Sequence, residues 1–193
     1  MFLTICVIFA HVPLLSGFLD IGLPEKYDLI TKVSVRGIYA FHMPLFVLLS
    51  GYFTKKKALK EQFRGSLKLI KLFLIFHVVD LVITAYAYEN SPSISDIFYP
   101  SFALWYLLCL FYWRLLISAL PENWKPKWIL LAAIFLSLSI GFTPIRGHLG
   151  LHRFFSFMPY FIIGHYYGRN VLNFIENKLV TALTPPCGKS PLY

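Results

Sequence analysis

Six apolar runs separated by short polar segments dominate the chain. The runs are residues 1–18, 38–53, 67–88, 102–120, 129–142 and 154–172. The segments between them, at residues 20–32, 89–96, 121–127 and 143–152, are rich in the charged residues, Gly and Pro typical of loops. A helix needs about 20 mostly apolar residues to cross a bilayer. The pattern therefore predicts an all-α, polytopic integral membrane protein with about five or six transmembrane helices.

Composition excludes a water-soluble domain. Apolar residues make up 58% of the chain, charged residues only 14%, and the mean hydropathy is +0.65. Soluble domains average about 45–50% apolar and about 25% charged residues. The three cysteines, Cys6, Cys109 and Cys187, are scattered, so they indicate neither a disulfide framework nor a zinc site. We expect a lipid bilayer as the main partner and no metal.

The distribution of basic residues predicts the orientation. Seven of the 18 Lys and Arg residues surround the connection between the second and third runs: Lys55, Lys56, Lys57, Lys60, Arg64, Lys68 and Lys71. Cytoplasmic loops carry the excess of positive charge, so this connection is expected in the cytoplasm. Counting spans from it puts the N-terminus in the cytoplasm and the segment 89–96, which lacks Lys and Arg, outside. Topology explains most of the net charge of +9, and no nucleic-acid partner is needed.

Ionisable side chains within the apolar runs are candidate site residues, because each costs about 2.5–3.5 kcal/mol at the centre of a span. His11, His42, His77 and Asp80 meet this description. His77 and Asp80 are three residues apart on one helix face, where they either share a hydrogen bond or relay protons. His11, about 15 Å into its helix, either forms an interhelical hydrogen bond or acts as a general base and acid near mid-bilayer.

Two further features have two interpretations each. Arg64, Lys68 and Lys71 have the spacing of one helix face, so they either anchor the helix at anionic lipid or hold the phosphates of a cytoplasmic cofactor. Trp105 begins the fourth run and is either an interfacial anchor or an aromatic platform for a sugar. Charge and position alone do not separate these alternatives.

Several segments in order together resemble the membrane acyltransferase family 3, particularly sugar O-acetylases related to fucose 4-O-acetylase. A first span ends in Val7-Ile8-Phe9-Ala10-His11, and a second contains Phe41-His42-Met43-Pro44-Leu45-Phe46 and Leu49-Ser50-Gly51-Tyr52-Phe53. A basic loop, Trp105-Tyr106-Leu107 and Phe157-Met158-Pro159-Tyr160-Phe161-Ile162-Ile163-Gly164 follow. No single segment is specific, whereas the five in register are.

The resemblance implies an O-acyltransferase that moves an acyl group, usually acetyl, from cytoplasmic acetyl-CoA to a hydroxyl of a cell-surface or exported carbohydrate. It implies that His11 is the catalytic histidine and that Lys68-Leu69-Ile70-Lys71 is similar to the family's basic-x-x-basic site for CoA, with Arg64 assisting. His42 would line the cavity and Trp105 would contact the acceptor.

The resemblance covers residues 1–175, which we expect to form a partial acyltransferase domain, with residues 176–193 as a tail outside the family pattern. In the family a basic residue precedes the catalytic histidine with ten residues between them, and here it would fall one position before Met1. Members also have about ten spans. We therefore expect a truncated copy. Two other hypotheses stay open: a proton-coupled transporter or glycan flippase using His11, His77 and Asp80, and an inactive acyltransferase fragment.

Overall fold

Helices account for the regular secondary structure throughout the part of the chain that the structure describes. This computed structural model describes residues 25–88, 104–143 and 150–183. Its helices are α1 (Glu25–Phe53), α2 (Leu59–Tyr88), α3 (Leu104–Ala119), α4 (Pro126–Ile140) and α5 (Leu151–Leu183). The all-α prediction is confirmed for these residues. The first apolar run with His11 and the polar segment 89–96 lie outside them.

The helices extend beyond the apolar runs that predicted them. The loop prediction for residues 20–32 is wrong from Glu25 onward, because α1 begins there. The basic connection is only residues 54–58 long, since α2 begins at Leu59 rather than at residue 67. Lys, Glu, Gln and Arg are good helix formers, so the helical hydrogen bonds continue through polar turns. Hydrophobicity locates the apolar part of a helix and not its ends. The predicted domain boundary at residue 175 falls inside α5.

Helices α1 and α5 run parallel, with their backbones in direct contact. A Cβ atom at Gly51 would lie 2.1 Å from the carbonyl oxygen of Phe161, and one at Gly164 would lie 1.9 Å from that of Leu48. Only glycine permits so close an approach, which is a common way for helices to pack where no hydrophobic drive between them exists. The imidazole Nδ1 of His165 donates a hydrogen bond to the Thr54 carbonyl, 2.9 Å away, just beyond this crossing.

Helix α3 packs antiparallel to α2 and also against α5. The rings of Phe63 and Phe111 meet edge to face with centroids 6.0 Å apart. The buried indole of Trp113 stacks on Phe161 at 5.3 Å, and its Nε1 donates to the Phe154 carbonyl at 3.1 Å. The core around this indole is formed by buried side chains of α1, α3, α4 and α5: Val47, Trp105, Cys109, Leu110, Ile117, Ile129, Ala133, Met158, Phe161 and Ile162.

Helix α2 has the character of a lipid-facing span. Among the described residues, only its Leu59–Tyr86 portion is both long and apolar enough to cross a membrane, and just 11% of its most apolar window is buried. A core helix of a soluble protein would be mostly buried. In the part of α2 from residue 72 to residue 83, the apolar side chains that are 42–63% exposed are Leu72, Leu74, Ile75, Phe76, Val78, Val79, Val82 and Ile83. Helices α3 and α4 have 16 and 15 residues, so the predicted number of spans stays a prediction.

We predict that Gly164→Ala destabilises the protein by about 1–3 kcal/mol or more, because the new methyl group overlaps the Leu48 carbonyl and the two backbones must separate. Thermal unfolding of the purified protein in detergent measures the effect. Gly37→Ala is the matched control, since nothing lies within 4 Å of a Cβ atom there. Equal melting temperatures for the two variants would contradict the close crossing.

Candidate functional site

The connection between α1 and α2 is a short basic loop fixed to the ends of two helices. Thr54 Oγ1 donates a hydrogen bond to the Ser50 carbonyl at 2.6 Å, which continues the last turn of α1. Lys56 Nζ donates to the Leu120 carbonyl, 2.7 Å away, at the C-terminal end of α3. A cation is favourable there because the last carbonyls of a helix carry partial negative charge. The loop and the end of α3 therefore lie at the same end of the bundle.

The predicted basic face of α2 exists as an exposed stripe. Arg64, Lys68 and Lys71 are all exposed and occupy a helix, so their spacing of four and three residues puts them on one face. At about 1.5 Å per residue the stripe extends over about 10 Å of the helix. Long basic side chains of this kind can run along apolar surface and hold their charges at the membrane interface. Binding of CoA phosphates by these three residues stays a prediction.

A cleft of about 240 Å³ lies beside the loop, and the stripe residues do not line it. Its walls come from the last residue of α1, from the loop, from the first two turns of α2 and from one side chain of α3: Phe53, Thr54, Lys55, Lys57, Glu61, Gln62, Gly65, Ser66 and Arg114. Three of these side chains are cationic and one is a carboxylate. The cleft is therefore an electropositive site distinct from the stripe.

Arg114 is a site residue that the sequence analysis missed. It lies in the predicted fourth span, residues 102–120, and the rule that selected the histidines applies equally to an arginine inside an apolar run. Arg114 is half-buried, and within the described ranges its Nε has no hydrogen-bond partner. The same holds for the hydroxyl of Ser66, whose side chain is 1% exposed. Both atoms belong to residues that line the cleft.

His42 is fully buried in α1, as expected for a residue facing the interior. Its Nδ1 lies 2.6 Å from the Ile38 carbonyl, one turn earlier in the helix. Because a carbonyl oxygen only accepts, this hydrogen bond requires the proton on Nδ1, and a neutral His42 carries its lone pair on Nε2. The role of His42 in lining a substrate cavity stays a prediction, as does the catalytic role of His11, which lies outside the described residues.

His77 and Asp80 lie toward the inner side of α2. His77 is 5% exposed and stacks on Phe73 with ring centroids 5.2 Å apart, and Asp80 is half-buried. Around these two residues, from Leu72 to Ile83, the exposed side of the same helix is apolar. This arrangement agrees with the general tendency of ionisable residues in spans to face the interior of the bundle.

Trp105 is a packed residue of the core. Its ring is 6% exposed, stacks on Phe157 at 5.5 Å and lies 4.9 Å from the guanidinium of Arg153. A sugar platform needs an open ring face, so acceptor binding by Trp105, which stays a prediction, requires this packing to open. Packing within the core accounts for the observed contacts, and the interfacial-anchor interpretation of Trp105 stays a prediction.

Comparison with known families gives the class of protein. The family profile described as an acyltransferase domain, that of acyltransferase family 3, matches residues 1–186. Neither the curated proteins nor the solved structures contain a match to this chain. The matched region includes α1–α5, the basic loop and the cleft. The chain therefore belongs to acyltransferase family 3 and is an acyltransferase.

Proposed function

We propose that this protein is a multi-pass O-acyltransferase of the cytoplasmic membrane, with its N-terminus in the cytoplasm. It transfers an acyl group, most simply acetyl, from acyl-CoA to a hydroxyl of a cell-surface or exported carbohydrate. The observation that carries the proposal is the match to the acyltransferase family over residues 1–186. The exposed apolar side of α2 supports the membrane location.

His11 is the proposed general base. Its imidazole removes the proton from the acceptor hydroxyl as the oxygen attacks the thioester carbonyl. The new C–O bond forms, the C–S bond breaks, and the proton returns from the imidazolium to the thiolate of CoA. A position near mid-bilayer would let one histidine meet a donor from the cytoplasm and an acceptor from the other side. His42 lines the same cavity in this proposal.

Lys68 and Lys71, with Arg64, are the proposed contacts for CoA phosphates. Their exposure on one face of α2 supports this role, because flexible ammonium groups reach a phosphate without displacing packed side chains. The basic loop at residues 54–58 directly precedes this helix, so the stripe lies toward the end that positive charge assigns to the cytoplasm. Acyl-CoA is present on that side of the membrane in this proposal.

We predict that His11→Ala lowers acyl transfer by about 100-fold or more, since general acid–base catalysis contributes about 10²–10⁴ to the rate. The assay follows radiolabelled acetyl from acetyl-CoA into base-labile esters of carbohydrate in membrane vesicles, with protein amounts matched. His152→Ala serves as the control, because that half-buried histidine lies in the first turn of α5, outside the predicted spans.

Full activity in His11→Ala would refute the assignment of the base. The same assay on the wild-type protein distinguishes an acyltransferase from a transporter and from an inactive fragment. Movement of a glycan across the vesicle membrane without consumption of acetyl-CoA would support the transporter instead. Stable insertion with neither transport nor transfer would support an inactive fragment.

We predict that the double substitution Lys68→Gln/Lys71→Gln raises the KM for acetyl-CoA about tenfold or more and changes kcat little. A hydrogen bond to a charged group is worth about 1.5–3 kcal/mol, and these contacts bind the donor without touching the reacting atoms. Initial rates against acetyl-CoA concentration give both constants.

The matched control is Lys125→Gln/Lys127→Gln. It removes the same charge from exposed lysines at the end of the bundle that holds the α1–α2 loop. An equal rise of KM in both double variants would mean that the net positive charge, and not the stripe, attracts the donor.

A further inference from the structure

We infer that the cleft between the α1–α2 loop and α3 binds a phosphate group, with Arg114 and Ser66 as its inner contacts. The ligand that fits the proposed function is one phosphate of the acyl-CoA donor, and this identity, unlike the anion site itself, rests on that function. The exposed stripe on α2 would then hold a different phosphate of the same molecule. Neither Arg114 nor Ser66 belongs to the pattern by which the donor site was predicted.

Charge is the first observation behind this inference. Lys55 and Lys57 approach the cleft from the loop, and Arg114 approaches it from α3, against the single carboxylate of Glu61. The neighbouring Lys56 is engaged elsewhere, because its ammonium group binds the end of α3. That bond holds the loop against the wall that carries Arg114. Cationic groups from separate elements are therefore brought around one space by a fixed connection.

The second observation is the pair of buried polar atoms in the walls. Within the residues that the structure describes, neither Ser66 Oγ nor Arg114 Nε has a hydrogen-bond partner, although both atoms are buried. A polar group buried in this way is costly unless something satisfies it. A phosphate oxygen accepts hydrogen bonds from a hydroxyl and from a guanidinium, and arginine recognises phosphate with its planar fork of donors. A bound phosphate would satisfy both side chains.

The cleft is large enough for the proposed group. Its volume of about 240 Å³ holds several water molecules, so a phosphate and its neighbouring atoms fit. Gly65 adds no side chain to the wall, and nothing lies within 4 Å of the place its Cβ would take. The remainder of a larger ligand would leave the cleft along the exposed face of α2.

The test is CoA binding by the full chain in nanodiscs of phosphatidylcholine, measured by isothermal titration calorimetry without turnover. We expect Arg114→Gln and, separately, Ser66→Ala to raise the Kd for CoA, by about tenfold or more for the arginine. Arg114→Lys keeps the charge without the fork and is expected to recover part of the affinity. Arg169→Gln, an exposed arginine of α5, is the matched control for the loss of one charge. Melting temperatures identify any variant that fails to fold, in which case Ser66→Ala and Lys57→Gln replace Arg114→Gln.

The outcomes separate this inference from the proposed function. Arg114-dependent CoA binding in a wild-type protein that transfers no acyl group would support the cleft and refute the function. Acyl transfer by the wild-type protein, together with a CoA affinity that none of the cleft substitutions changes, would support the function and refute the cleft as a CoA site. No CoA binding by the wild type would refute the donor site.

A lipid headgroup offers the same phosphate chemistry, so a second set of nanodiscs contains phosphatidylglycerol. Native mass spectrometry then measures the lipid retained by each variant. Loss of retained phosphatidylglycerol in Arg114→Gln, with CoA binding unchanged, would assign the cleft to a lipid headgroup and overturn the donor assignment.

Discussion

The direct contact of the α1 and α5 backbones is the constraint on which the rest of the arrangement depends. Gly51 and Gly164 each lie against a carbonyl group of the other helix, so the distance and the register of the two helices are fixed together. Backbone contact of this kind gains van der Waals energy where the surroundings offer no hydrophobic drive. His165 then reaches Thr54, which makes α5 a support for the first residue of the basic loop.

Hydrogen bonds from the loop and from α1 hold α3 in place beside them. Lys56 binds the end of α3, and Ser50 on α1 shares a hydrogen bond with the hydroxyl of Tyr106 on α3. The charges of the α1–α2 connection consequently have different tasks. One lysine holds helices together, two others face the cleft, and the basic residues of α2 stay at the surface. The basic residues clustered at this connection are therefore divided among helix packing, the cleft and the exposed surface of α2.

Helix α2 carries buried polar side chains on one side and exposed apolar side chains on the other. Gln62, Ser66 and His77 are buried on its inner side, while the outer side presents basic side chains in its first half and branched and aromatic side chains from Leu72 onward. The cost of placing polar atoms in a membrane-spanning helix is reduced when they face protein rather than hydrocarbon. The helix can therefore be long and apolar as a whole and still contribute polar groups to the interior.

The sequence by itself determined the class of the fold, the approximate position of each described helix and the family, because these follow from local hydrophobicity and from motifs in a fixed order. It also selected Lys68 and Lys71 as one face, since helical spacing is a local property. The ends of the helices could not be predicted as well from the sequence. Glu25 begins α1 inside a segment expected to be a loop, because polar residues that favour helices also occur in loops.

The tertiary structure alone decided which faces meet. It brought Arg114 of α3, Lys55 of the loop and Ser66 of α2 around one cleft. It also buried Trp105 against Phe157, where the sequence allowed an exposed ring. It also placed Gly51 and Gly164 at the contact between the α1 and α5 backbones. None of these pairings has a local signature, because each depends on the crossing and register of helices that are distant in the chain, and the energy that sets them comes from packing between the helices.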